Sequence, residues 1–235
     1  MSGVVIAIDG PAASGKSSTA RAVAEALGFA HLDSGSLYRA VTLVALREAA
    51  RRGGAGDPLA GVSPDTILRA AEDRGLLLYP DGAGFAAYLE GEPVDDAIRD
   101  ADVTRHVSAV SAVPVVREWV NTRLRALVRE GRDVVVDGRD IGTVVFPDAD
   151  LKVFLTASPE TRAGRRISQR GHVIDVDELA RETAALAARD AADSARPVAP
   201  LRRADDAVDV DTTRMTFREQ VDRIVELARR RVRRD

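Results

Sequence analysis

Lys16 and Ser17 close a loop bounded by two glycines, Gly10-Pro11-Ala12-Ala13-Ser14-Gly15-Lys16-Ser17, and Ser18 opens a helix-like run to Leu27. Ahead of the loop stands the apolar, β-branched stretch Val4-Val5-Ile6-Ala7-Ile8-Asp9. Strand, Gly-x-x-x-x-Gly-Lys-Ser loop and helix, in that order, form a P-loop. Such a loop bends until successive backbone N–H groups converge on phosphate oxygens, and the helix N-terminus adds partial positive charge. Gly10 and Gly15 permit a backbone approach that a Cβ would obstruct. Lys16 is expected at the β- and γ-phosphates of a nucleoside triphosphate, with the Ser17 hydroxyl on or near Mg²⁺. A chance match would lack the strand before the loop and the amphipathic helix after it. Of the 34 Lys and Arg residues only Lys16 and Lys152 are lysines, so a chain that uses arginine almost everywhere keeps lysine at the motif position.

Moving a phosphoryl group between two anions requires positive charge on the donor, the acceptor and the transferred group. Arginine supplies it through a fork that matches phosphate oxygens in pairs. Arg39, Arg139, Arg165, Arg189 and Arg196 form a candidate set, although any one alone would read as a surface ion pair of little worth. Most of them sit in three polar blocks, Asp33-Ser34-Gly35-Ser36-Leu37-Tyr38-Arg39, Asp137-Gly138-Arg139-Asp140-Ile141-Gly142-Thr143-Val144-Val145-Phe146-Pro147, and Arg189-Asp190-Ala191-Ala192-Asp193-Ser194-Ala195-Arg196. Asp137 ends a strand-like run and could order Mg²⁺-bound water or cap the next turn; the sequence leaves both open. His31, His106 and His172 share no metal-ligand spacing and read as structural or surface residues, and Trp119 reads as core.

Five β-runs must position these blocks: residues 4–8, 30–33, 133–137, 151–155 and 207–210. Helical periodicity follows at 18–27, where Gly28 reads as a C-cap, and at 37–52, before a loop through Gly53-Gly54-Ala55-Gly56-Asp57-Pro58. It returns from Asp100 to Glu130 with a break at Pro114, from Ser158-Pro159 onward, from Glu178 to Ala192 after a connection at Gly171–Asp177, and from Thr216 to about Arg233. Strands alternating with helices imply an α/β protein with a mostly parallel sheet covered on both faces. Ligands of such sheets gather at the carboxyl ends of the strands. Between 63 and 94 the pattern changes. Ser63-Pro64-Asp65 starts a short helix to about Arg74, then Leu76–Tyr79 and Phe85–Leu89 read as a hairpin around Pro80-Asp81-Gly82-Ala83-Gly84, with a further short strand at Gly91–Val94. The spacing predicts a small β-rich insertion.

The 235 residues suffice for one domain with inserted subdomains, and 45% hydrophobic with 30% charged content is ordinary for a globular chain. A net charge of −3 provides no global field for nucleic acid, and Arg229-Arg230-Arg231 reads as a solvated last helical turn. The absence of cysteine excludes disulfides, thiolate metal sites and cysteine nucleophiles, and it fits a reducing cytoplasm. No apolar run reaches membrane-span length, and the early P-loop leaves no room for a signal peptide. A soluble, cytoplasmic protein with no membrane or nucleic-acid partner is expected.

The glycine-rich loop, the Asp33-Ser34-Gly35/Tyr38-Arg39 pair, the Asp137–Pro147 block, and Arg189-Asp190 with Asp193, Arg196 and Val198-Ala199-Pro200-Leu201 together resemble the bacterial cytidylate kinases, a P-loop nucleoside monophosphate kinase family. The resemblance covers essentially the whole chain. It implies a P-loop kinase fold: a five-stranded parallel sheet flanked by helices, with a core at about 1–33, 106–159 and 197–235. An inserted monophosphate-binding subdomain, helical plus small β, would span about 34–105, and a short helical lid about 160–196. The resemblance further implies that ATP is held by Gly10 to Ser18, and that CMP faces Ser34, Tyr38, Arg39, Ser108, Arg117, Arg139, Asp140, Arg189, Asp193 and Arg196. By chemistry, Arg39 and Arg139 suit the acceptor phosphate with Tyr38 donating or stacking, and Ser108 and Arg117 suit the cytosine edge. Asp193 with Arg189 and Arg196 suits the sugar hydroxyls, and Arg165 and Arg189 suit the transferred phosphoryl group. The expected reaction moves the γ-phosphoryl of ATP to CMP or dCMP with Mg²⁺, in pyrimidine metabolism, by a monomer using Lys16, Arg139, Arg165 and Arg189. A kinase for another acceptor such as UMP, or a slow nucleotide switch, are the alternatives.

Overall fold

The computed structural model describes residues 3–53, 61–128 and 131–232. The expected loop at Gly54–Pro58, the helix end at Glu130 and the last residues from Arg233 lie outside the described residues. In chain order the elements are β1 (Val5–Asp9), α1 (Lys16–Leu27), β2 (Ala30–Asp33), α2 (Ser34–Arg52), α3 (Pro64–Asp73), β3 (Leu77–Asp81), β4 (Gly84–Leu89), β5 (Glu92–Pro93), α4 (Ala101–Ser111), α5 (Pro114–Val128), β6 (Val134–Gly138), β7 (Leu151–Thr156), α6 (Pro159–Gln169), α7 (Val176–Ser194), β8 (Val208–Asp211) and α8 (Phe217–Val232). A 3₁₀ turn occupies Ala97–Arg99 and a π-turn Ile141–Val145. The chain divides into two compact units, Met1–Leu32 with Val128–Asp235, and Asp33–Leu127.

In the first unit the strands run in the order β2-β6-β1-β7-β8, with β1 parallel to both β6 and β7, and β7 parallel to β8. Each of the five expected strands lies within one residue of its observed bounds. Ile6, Ile8, Val135, Val153 and Leu155 enter one buried cluster with Ala20, Val23 and Ala24 of α1 and Ile224, Val225 and Ala228 of α8. Continuous apolar strands with helices upon them are what a parallel sheet demands, since its backbone must be kept from water on both faces. The parallel register brings the carboxyl ends of β1 and β6 level, Asp9 opposite Gly138.

In the second unit α2 starts at Ser34, three residues before the expected Leu37. The reason is Asp33, whose carboxylate accepts the Gly35 N–H at 2.9 Å and caps the helix, so Ser34-Gly35-Ser36 is its first turn. Ser63 caps α3 and Pro64 opens it, as the sequence predicts. The β3–β4 hairpin pairs Asp81 with Gly84, which draws Pro80 and Asp81 into the strand and leaves a two-residue turn. Likewise α7, in the first unit, begins at Val176 rather than Glu178 because Asp175 accepts the Glu178 N–H at 2.7 Å. Trp119 is half-buried, with its indole N–H donated to Glu72 at 2.9 Å and the Arg123 guanidinium 3.3 Å from its ring centroid. No helix among the described residues is long and apolar enough to cross a membrane.

Leu155 is fully buried in β7. Leu155→Ala should lower the unfolding free energy by about 2–5 kcal/mol in urea titrations, through lost burial plus the cavity left behind. A loss under about 1 kcal/mol would contradict this account of the core.

Candidate active site

β1 delivers the chain to Gly10, which turns at φ +154° so close to β7 that a Cβ would lie 2.1 Å from the Leu155 carbonyl oxygen. No larger residue fits there without displacing β7. Gly15, at φ +90°, sits at the N-cap of α1. The Thr19 N–H closes the first helical hydrogen bond, to the Gly15 carbonyl at 3.0 Å. The N–H groups of Lys16, Ser17 and Ser18 therefore have no intrahelical acceptor, and an anion at the helix N-terminus satisfies such groups.

Lys16 is buried, and its ammonium folds back on its own loop, donating to the Pro11 carbonyl at 2.6 Å and the Ser14 hydroxyl at 3.4 Å. Burial pushes its pKa well below the ordinary lysine range, Arg139 adds to that, and the Asp137, Asp9 and Asp190 carboxylates oppose it. Ser17 Oγ donates to Asp137 Oδ2 at 2.6 Å, and His31 Nε2 lies 2.7 Å from Asp137 Oδ1. His31 is thus a buried partner of the site, on β2. The hydroxyl–carboxylate pair offers oxygen alone, the donor type a hard cation takes. Among the described residues no group of three or more His, Asp or Glu could hold a metal by itself.

Asp9 ties the loop to the polar block after β6. Its two carboxylate oxygens accept the Ile141 N–H at 2.8 Å and the Gly142 N–H at 2.7 Å. These residues open the π-turn, closed by the Phe146 N–H on the Ile141 carbonyl at 2.7 Å. Arg139 and Asp140 immediately precede it. Burial raises the Asp9 pKa from its ordinary 3.8 to about 6; the two N–H donors and Lys16 work against the rise, and Asp140 works with it.

The expected arginines of this unit occupy distinct places. Arg139 Nε donates to Asp193 Oδ2 at 3.0 Å, and Arg196 bonds the other oxygen of the same buried carboxylate. Arg165 reaches Thr212 Oγ1 and carbonyl at 2.9 and 2.8 Å and the Ser14 carbonyl at 3.4 Å, so it touches the P-loop from α6. Partial burial lowers its pKa. Arg189 is half-buried on α7 and Asp140 is buried beyond β6. In the second unit, Tyr38 and Arg117 come together, the guanidinium 5.2 Å from the ring centroid, while the Tyr38 hydroxyl donates to Asn121 at 3.3 Å. Arg117 also holds the Ser111 carbonyl at 3.0 Å, one helical turn after half-buried Ser108. Arg39 donates to Thr104 at 2.9 Å and the Ile98 carbonyl at 3.2 Å. Ser34 is buried in the first turn of α2. Sequence reasoning missed Asp9, His31, Arg162 and Asp190 as contributors; each acts through a partner more than 25 residues away, although Asp9 directly precedes the P-loop and Asp190 lies inside the last polar block.

A parallel sheet that ends in a glycine-bounded phosphate loop, with arginines and acids at the neighbouring strand ends, defines a P-loop nucleotide-binding protein. The family model for cytidylate kinase matches residues 6–230. The chain is 44% identical to the cytidylate kinase of Streptomyces griseus over 96% of its length and 93% of the relative's. It is 46% identical to that of Mycobacterium avium (97% and 96%) and 41% identical to that of a Geobacillus strain (97% of both). The chain belongs to the cytidylate kinase family, a group of phosphotransferases acting as nucleoside monophosphate kinases.

Because the folded-state pKa of Asp9 lies above its unfolded value, the native protein holds its proton more tightly. Its stabilising share is present below pH 3.8 and is lost as pH rises through about 6. Relative to Asp9→Asn, which cannot titrate, wild-type stability should fall by about 3 kcal/mol between pH 3.5 and 7. Denaturant midpoints across that range check this, and a difference independent of pH would contradict it.

Proposed function

We propose that this enzyme transfers the γ-phosphoryl group of ATP to CMP or dCMP, giving ADP and CDP or dCDP, with Mg²⁺. The family match across residues 6–230, which spans the P-loop and all three arginine-bearing blocks, carries the reading. An oxygen of the acceptor phosphate attacks the γ-phosphorus, the bond to the β–γ bridging oxygen breaks, and that oxygen leaves on ADP. The acceptor is already anionic, so no strong general base is needed. Catalysis consists of alignment, charge neutralisation and exclusion of water by closure. A Mg²⁺ ion held at Ser17, with Asp137 acting through water, would neutralise phosphate charge.

The chain's own residues divide the remaining work. Backbone groups of Gly10 to Ser18 hold the donor phosphates and Lys16 reaches the β/γ oxygens. Arg165 and Arg189 serve the transferred group. Arg39 and Arg139 serve the acceptor phosphate, with Tyr38 beside it and Asp140 nearby. Ser34, Ser108 and Arg117 read the cytidine side, Ser108 and Arg117 at the base edge. Asp193, gripped by Arg139 and Arg196, is suited to the sugar hydroxyls because its oxygens are held in fixed directions. In domain terms, about 34–105 serves as the monophosphate-binding insert and about 160–196 as the lid. The reading makes the protein a cytoplasmic monomer of pyrimidine nucleotide metabolism, and sedimentation of the purified protein checks the monomer.

In a coupled assay the purified protein should form CDP from ATP and CMP, with much poorer use of AMP and GMP. No CMP turnover, UMP preferred over CMP, or ATP hydrolysis independent of acceptor, would overturn the reading. Asp193→Ala should lower kcat/KM for CMP and dCMP unequally; equal losses would remove Asp193 from sugar recognition. Burial holds the Lys16 pKa below its ordinary value and arriving phosphate charge pushes it back up, so the ammonium and the phosphates favour each other. Lys16→Met should therefore weaken ATP binding in calorimetry, and an unchanged affinity would remove Lys16 from the phosphates.

A further inference from the structure

Arg162 and Asp190 have no part in the chemistry proposed above, yet they form an ion pair against the P-loop, with Arg162 buried and Asp190 half-buried. From α6, Arg162 Nη1 donates to the Ala12 carbonyl at 2.9 Å and to Asp190 Oδ2 at 2.5 Å, and its Nε reaches the Ala157 carbonyl at 3.2 Å. From α7, Asp190 Oδ1 accepts the Ala12 N–H at 2.9 Å. Both backbone polar groups of one loop residue are thus held by one ion pair whose members come from two helices. Beneath the pair, Ala12, Ala163 and Leu186 make a small apolar cluster, with Ala13 and Leu179 packed on it.

The local geometry shows why the loop needs such a hold. Pro11 has no N–H, so Ala12 supplies the first one after Gly10, and that one is committed to Asp190 rather than left for a ligand. The next residue, Ala13, sits at φ +57°, a region that L side chains seldom occupy and that neighbouring structure must impose. A buried ion pair is in general weak evidence for stability, because desolvation offsets much of the attraction. Here both ions also bond backbone, Asp190 and Arg162 that of Ala12 and Arg162 that of Ala157. The consequence falls on the shape of the loop.

We infer that Arg162 and Asp190 are positioning residues: a clamp on Ala12 that sets the donor-cradling conformation of the P-loop and couples it to the α6–α7 pair carrying Arg165 and Arg189. The inference rests on the reading of the loop as the ATP site. It is specific to the donor: loss of the clamp disturbs ATP and leaves CMP affinity in place.

The test measures ATP affinity directly by calorimetry without acceptor, and separately the KM for ATP and for CMP, in Arg162→Met, Asp190→Asn and the double variant, with thermal melting of each. Removing one partner of a charge-assisted bond should weaken ATP binding by about tenfold to a hundredfold. The CMP KM should stay within about twofold, and the double variant should be no worse than the worse single one, since the second partner has nothing left to hold. Arg162→Lys keeps the charge and a donor for one acceptor, so it should recover part of the lost ATP affinity even if the other variants fold poorly. Unchanged ATP affinity in a folded variant, equal losses for ATP and CMP, additive losses in the double variant, or no recovery with lysine would each overturn the clamp. Wild-type protein that binds ATP but does not turn over CMP would sink the kinase reading while leaving the clamp to stand or fall on the calorimetry.

Discussion

A loop that binds phosphate through its backbone faces one constraint. Its N–H groups must point inward without internal partners, and the loop must nevertheless hold its shape before the ligand arrives. Hydrogen bonds among the loop's own amides would fix the shape and consume the donors. The structure meets the constraint from outside. Asp190 and Arg162 take the backbone of Ala12, Arg165 touches the Ser14 carbonyl, and Asp137 takes the Ser17 hydroxyl. Gly10 lets β7 press against the entry to the loop. What remains to the ligand is the N-terminus of α1 and a lysine whose hydrogen bonds, among the described residues, go to its own loop.

The same external supports carry the acids and arginines. Asp9 ends β1 and holds the turn that follows Arg139 and Asp140, so the residue before the P-loop and the Asp137–Pro147 block are fixed to each other by two hydrogen bonds. Asp193 orders Arg139 and Arg196 in the same manner. Buried acids act as fixed points throughout the first unit, and the burial that raises the Asp9 pKa and lowers that of Lys16 is the cost of rigidity near the phosphates.

Much of the fold was legible because its signals are local. Apolar runs and capping residues placed the five core strands to within a residue, and Ser63-Pro64 and Ser158-Pro159 marked helix starts as their side-chain chemistry requires. Asp33 and Asp175 were harder, since an aspartate before a helix reads as loop until its carboxylate is seen to cap. The π-turn at Ile141–Val145 has no periodicity of its own and depends on Asp9 from across the sheet. In the candidate site, the P-loop and the arginine blocks are the parts that residue type and spacing single out. The supports could not. His31 with Asp137, and Arg162 with Asp190, are pairs made by the fold between distant segments, and nothing in the local pattern of either partner announces the other.

The account turns on a division within one loop, between an amide spent on support and amides kept for phosphate. Amide hydrogen exchange of the free protein and of its Mg²⁺–ATP complex measures that division directly. The account predicts that Ala12 is protected in both states, while Lys16, Ser17 and Ser18 exchange readily in the free protein and gain protection when ATP binds. An Ala12 amide that exchanges as fast as its neighbours in the free protein, or that gains protection together with them, would contradict it.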